Sequence, residues 1–138
     1  IGLEVDFWRI AMRPGKPLIF GKIGSIPLLG LPGNPVSSMV CAIIFLLPAI
    51  AAMQGLRSAF QSRNFASLGS PLPENDERED YLRATLSEDM SKRLIATPLE
   101  KQDSSVFSGM SAADCLIIRP PFAPAADQGE QVSIISLD

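Results

Sequence analysis

Arg13 and Lys16 flank the Pro-Gly step of MRPGKP, and some way downstream the stretch GLPGNPVSS leads into a long apolar run. Arginine offers a planar fork of donors and lysine a compact charge, and both suit phosphate or another oxyanion. Asn34 is a favoured N-cap, Pro35 fits the first helical position because it has no amide to leave unpaired, and Gly33 allows the tight entry. The first amides of a helix lack internal partners and carry the positive end of its dipole, so this entry has the form of an anion site. Ser37 lies in the first turn, and Pro32 and Pro35 would form a rigid wall. The bland alternative is two solvated cations on a hairpin and a purely structural cap. The stretch matches neither G-x-G-x-x-G nor G-x-x-x-x-G-K-[ST], so those nucleotide folds are not implied.

Charge and composition narrow the chemistry. The 138 residues are 46% hydrophobic with a net charge of -3, which predicts a folded chain with no basic field for nucleic acid. There is no histidine, which excludes Ser-His-Asp and Cys-His nucleophiles and His-containing zinc sites within this sequence. Cys41 and Cys115 sit in apolar stretches and read as buried reduced thiols, in keeping with a cytoplasmic location. The start IGLEVDFWRI has no initiator Met or leader pattern and suggests a portion of a longer protein. Val36 to Met53 carries no charge, but Ser37, Ser38, Pro48 and its length favour a buried core helix over a membrane span.

The elements that must position the cations follow from the patterning. Strands are predicted at Phe7 to Ala11, Leu18 to Ile23 and Ile26 to Leu31, with turns at MRPGKP and at Gly24 and Ser25. The helix from Pro35 is apolar nearly all round and is expected to be covered on most sides, kinked at Pro48 and stopped at Gly55. That demand exceeds what three strands supply, so the first segment reads as the end of a larger α/β domain. ENDERED reads as a solvated turn. A strand near Asn64 to Leu68 and the segments YLRATLSE, KRLIATPLE, DCLIIRPP and EQVSIISL predict a small β-barrel or sandwich of around five strands.

In order and spacing, PGKP followed by GLPGNPVS resembles the molybdopterin molybdotransferase family, of the MoeA and gephyrin E-domain type. YLRATL, QDSSVFSGMSAADCLII and GEQVSI look like segments of that family's C-terminal barrel. The resemblance implies an α/β part at residues 1–55, ending a three-layer molybdopterin-binding domain, and a linker with an all-β barrel at 56–138. It implies insertion of molybdenum from molybdate into adenylylated molybdopterin with release of AMP, assisted by Mg²⁺ whose ligands are expected upstream of Ile1. It also implies a homodimer whose site is shared between subunits, with no nucleic acid or membrane partner.

By position, Lys16 matches the lysine of the PGKP turn and Arg13 the basic residue before it, both expected to be catalytic. Pro32, Gly33, Asn34, Pro35 and Ser37 match the substrate loop, while Arg83 and Ser104 match barrel residues that approach the pterin from the partner subunit. Asp103 stands where the family has glycine. The alternative function carried by the same resemblance is a non-catalytic scaffold or peptide-binding module of the gephyrin type.

Overall fold

Leu3–Phe7 forms β1, Met12–Arg13 a short β2, Ile19–Ile23 β3 and Ile26–Gly30 β4. The computed structural model describes residues 2–56, 63–102 and 108–137. The strands β1, β3 and β4 make an antiparallel sheet in which β3 is central, with Leu3 opposite Ile23 and Ile19 opposite Gly30. The first strand therefore ends where the sequence expectation had it begin. Beyond Phe7 the chain is drawn out of the sheet, because the Ile10 amide donates to the Lys16 carbonyl at 3.0 Å and closes the PGKP turn. A register shift between Val5 and Phe7 marks a bulge just before the departure.

The helix starts as the sequence predicts, at Pro35, and runs through α1 (Pro35–Cys41), a π-helical turn at Ala42–Leu46 and α2 (Leu47–Met53). Pro48 lies just past that wide turn. A π turn shifts the carbonyl–amide pairing by one residue and is one of the recognised causes of a bend, so the proline is accommodated by a change of helix type. The exit is a paired-carbonyl cap: Gly55 adopts φ +75°, its amide donates to the Ala52 carbonyl, and the Leu56 amide reaches the Ala51 carbonyl, both at 3.0 Å.

Within these residues the helix is covered only at its start, as expected if three strands supply part of its partners. Val36, Ser37, Val40 and Cys41 are buried, but no residue of the π turn or α2 is. By length and composition Pro35–Met53 is long and apolar enough to cross a membrane, and most of it is not buried. A three-stranded sheet has one face to offer, and it meets the apolar stripe only in part. What remains is a groove of about 390 Å³ between Phe7, Phe20 and Leu28 of the sheet and Phe45, Ile50 and Met53 of the helix.

The chain divides into two compact units, residues 1–61 and 62–138. The second is a barrel of β5 (Arg63–Leu68), β6 (Glu79–Glu88), β7 (Leu94–Pro98), β8 (Cys115–Arg119) and β9 (Gln131–Ser136), with a short α3 (Ser108–Ser111) before β8. Pairing runs β6 to β7, β7 to β5, β5 to β9, β9 to β8 and β8 back to β6, so the five strands close on themselves and leave no free edge. The interior is narrow, and small residues fill it: Ala66, Ala84, Ala96 and Ala126 pack with Leu68, Cys115, Ile117, Val132 and Ile134.

The acidic run is more than a solvated turn. Asn75 Nδ2 donates to the carbonyls of Arg78, Arg119 and Pro120 at 2.7, 3.1 and 2.9 Å, and Asp76 pairs with Arg78. The connectors on either side of β6 and β8 are thereby tied together, an outcome that depends on residues 44 or more apart in sequence.

Candidate functional site

The turn bearing Arg13 and Lys16 is fixed to α1 through Gly15. Gly15 has φ +122°, and a Cβ there would fall 2.6 Å from Cys41 Sγ and 3.2 Å from Met12 Cε. Cys41 Sγ donates to the Gly15 carbonyl at 3.9 Å. Only glycine satisfies both the backbone conformation and the close approach. The Arg13–Pro14 peptide is cis. Arg13 and Lys16 are both exposed.

Turn and helix meet on the flank of α1. Cys41 lies seven residues past Asn34, about 10 Å along the axis, so this contact is two turns from the tip. At the tip, Asn34 has the extended conformation of an N-cap, and its Oδ1 accepts from the Ser37 amide at 3.1 Å. The Ser38 amide donates to the Asn34 carbonyl at 2.8 Å, and the Ser38 hydroxyl donates to the Pro32 carbonyl. Pro35 has no amide, so within the first turn only Val36 keeps one that these cap bonds do not use.

The tip is thus mainly a structural cap, with most of its first amides already used. Pro32 and Ser37 are buried, Asn34 is half-buried, and Gly33 and Pro35 are exposed. Ser38, which the sequence reading left aside, is the serine whose hydroxyl secures the loop.

In the barrel, Arg83 belongs to the row Tyr81, Arg83, Thr85, which alternates with the inward-facing Leu82, Ala84 and Leu86. It is nevertheless only 2% exposed. Its Nη2 donates to the Lys101 carbonyl at 3.2 Å, so the guanidinium is engaged with the segment that follows β7. Ser104 lies outside the described residues, as does Asp103. The structure brings Arg13 and Lys16 together on one turn and Pro32 to Ser37 together in one cap within the first unit, and it places Arg83 in the second.

Neither cysteine is a reactive thiol. Burial pushes Cys41 up to about 11, and burial followed by the Asp114 charge pushes Cys115 up to about 12. Among the described residues, no three His, Cys, Asp or Glu side chains cluster as a metal site. Glu4 is paired with Lys22 at 3.0 Å, Asp76 with Arg78 and Asp89 with Arg93. Paired in this way, these carboxylates do not fit a Mg²⁺ site.

Comparison with known proteins follows the division of the chain. The family described as "MoeA C-terminal region (domain IV)" matches residues 66–137, more than half of the sequence. The chain belongs to the MoeA family. Residues 1–52 match the family described as "Probable molybdopterin binding domain". The chain is 31% identical over 132 residues to the molybdopterin molybdenumtransferase of Haemophilus influenzae, covering 95% of this chain and 33% of that protein. It is 30% identical over 140 residues to molybdopterin molybdenumtransferase 1 of Mycobacterium tuberculosis, covering 97% and 33%.

Among solved structures, the molybdopterin biosynthesis MoeA protein of Pyrococcus horikosii superimposes with a TM-score of 0.81 at 27% identity, over 99% of this chain and 33% of that one. The chain spans about one third of the length of the curated relatives it matches. A small α/β start followed by a closed five-stranded barrel is the fold of this MoeA segment.

Proposed function

We propose that this MoeA chain serves molybdenum cofactor biosynthesis as the C-terminal portion of a molybdopterin molybdotransferase. On this reading the full protein inserts molybdenum from molybdate into adenylylated molybdopterin and releases AMP, while this portion alone binds without turning over. The observation that carries the reading is the Gly15–Cys41 junction, which holds a two-cation turn rigidly against the helix opened by the GLPGNP loop.

Arg13 and Lys16 face an oxyanion, either the pterin phosphate or molybdate, and their attraction strengthens as water is excluded. Pro32, Gly33, Asn34, Pro35 and Ser37 shape a wall whose conformation is fixed before the ligand arrives. Arg83 and Ser104 complete the site from the barrel of a partner subunit in a homodimer. Molybdate and molybdopterin are substrates here, and Mg²⁺ is assigned to ligands outside this sequence. The apolar helix is assigned to a protein core, with no membrane or nucleic-acid partner and a cytoplasmic setting.

Equilibrium titration of the chain with molybdopterin tests this reading. Binding in the micromolar range that weakens as ionic strength rises supports it, and no binding at millimolar concentration rejects it.

A further inference from the structure

Where β7 ends, a side chain enters the sheet. The β6–β7 register runs from Glu88 opposite Leu94 to Ala84 opposite Pro98, so the next pair is Arg83 and Leu99. Residues in such an antiparallel position ordinarily exchange two backbone bonds. The first is present, with the Leu99 amide donating to the Arg83 carbonyl at 2.9 Å.

The return position is occupied by the Gln102 amide. Arg83 N–H donates to Gln102 Oε1 at 3.0 Å, and Gln102 Nε2 donates to the Leu99 carbonyl at 2.9 Å and to the Arg83 carbonyl at 2.8 Å. The Arg83 guanidinium in turn donates to the carbonyl of Lys101, the residue next to Gln102. Each side chain therefore binds backbone at or beside the other residue.

We propose that Gln102 is a positioning residue: spliced into the ladder, it ends strand pairing at Arg83 and fixes that arginine. The functional part of this inference rests on the role proposed above for Arg83. The chemistry selects glutamine. At neutral pH an amide presents a donor and an acceptor at the same end, whereas an ionised glutamate carboxylate would set acceptor against two carbonyl oxygens. Gln102 is itself exposed, so water competes for these bonds and the effect is moderate.

Residue-resolved amide exchange and molybdopterin titration on Gln102→Met and Gln102→Glu test the proposal. Gln102→Met is expected to speed exchange of the Arg83 amide at least tenfold and to weaken molybdopterin binding about tenfold. Gln102→Glu should behave likewise at pH 8 and regain part of the Arg83 protection factor only as pH falls below the ordinary glutamate pKa of about 4.3, where a protonated carboxyl again donates. Asn75→Ala, which removes a carbonyl-binding amide elsewhere in the barrel, should lower Tm and leave affinity unchanged. Unchanged Arg83 exchange in Gln102→Met overturns the clamp, and lost protection with unchanged affinity overturns its positioning role. If the unsubstituted chain fails to bind molybdopterin, the functional reading fails, and the clamp is decided by exchange and its pH recovery alone.

Discussion

Gly15 is the residue on which the placement of the two cations depends. A methyl group there would meet Cys41 Sγ and Met12 Cε, and φ +122° is unfavourable for any other residue type. Gly15→Ala is expected to cost about 2 kcal/mol or more, from backbone strain and overpacking together, read as a fall in the denaturant midpoint at constant slope. A second prediction comes from the cysteines. Their folded-state values of about 11 and 12 lie above the ordinary thiol range, so the fold favours the neutral form. Stability should be complete below about pH 9, where unfolded thiols are still protonated, and should decline as pH rises through 11 and 12. Urea melts of Cys41→Ala and Cys115→Ala beside the parent check the sign, since each variant should lose part of that alkaline decline. The cationic pair was legible from residue type alone. Gly15 and Gln102 were not, because their roles are defined by Cys41 and Arg83, which lie far away in sequence.

At the scale of elements, the helix entry shows how local chemistry can be read directly. Asn34, Pro35 and the absence of a Pro35 amide predict the first turn, and the Ser37–Asn34 bond forms as that logic requires. Asn34→Ala should therefore destabilise the chain by about 1 kcal/mol, and Asn34→Gly by a few tenths, measured as shifts in Tm. The same substitutions release the Ser37 amide, so a gain in anion affinity with either would show that capping and ligand binding compete for it. The strands of the barrel were equally legible, because apolar runs and turn residues set their ends. The first strand was misplaced because its limits come from pairing with β3 and from closure of the PGKP turn, neither of which is a local property. The π turn ahead of Pro48 was likewise not legible, because a proline within an apolar helix signals a bend without saying which turn widens to absorb it.

At the scale of the whole molecule, the two units differ in how well each satisfies itself. The barrel closes every strand and buries a continuous core, so residues 62–138 expressed alone should unfold cooperatively, with coincident fluorescence and circular dichroism transitions. The α/β unit leaves Trp8, Ile26 and Met53 exposed at 56%, 67% and 77% and keeps an apolar groove open. Residues 1–61 alone should bind a hydrophobic dye and self-associate, and a sharp monomeric transition would contradict that expectation. Excess helix hydrophobicity over the available sheet was visible in sequence, although the share that stays uncovered was not. Recognition of an anionic pterin by the cation-bearing turn is the central proposal. Calorimetric titration of the chain and of Lys16→Ala with molybdopterin tests this most directly. A loss of about tenfold in affinity, near 1.4 kcal/mol, with an unchanged Tm is the predicted result. Equal affinity in the two proteins would contradict it.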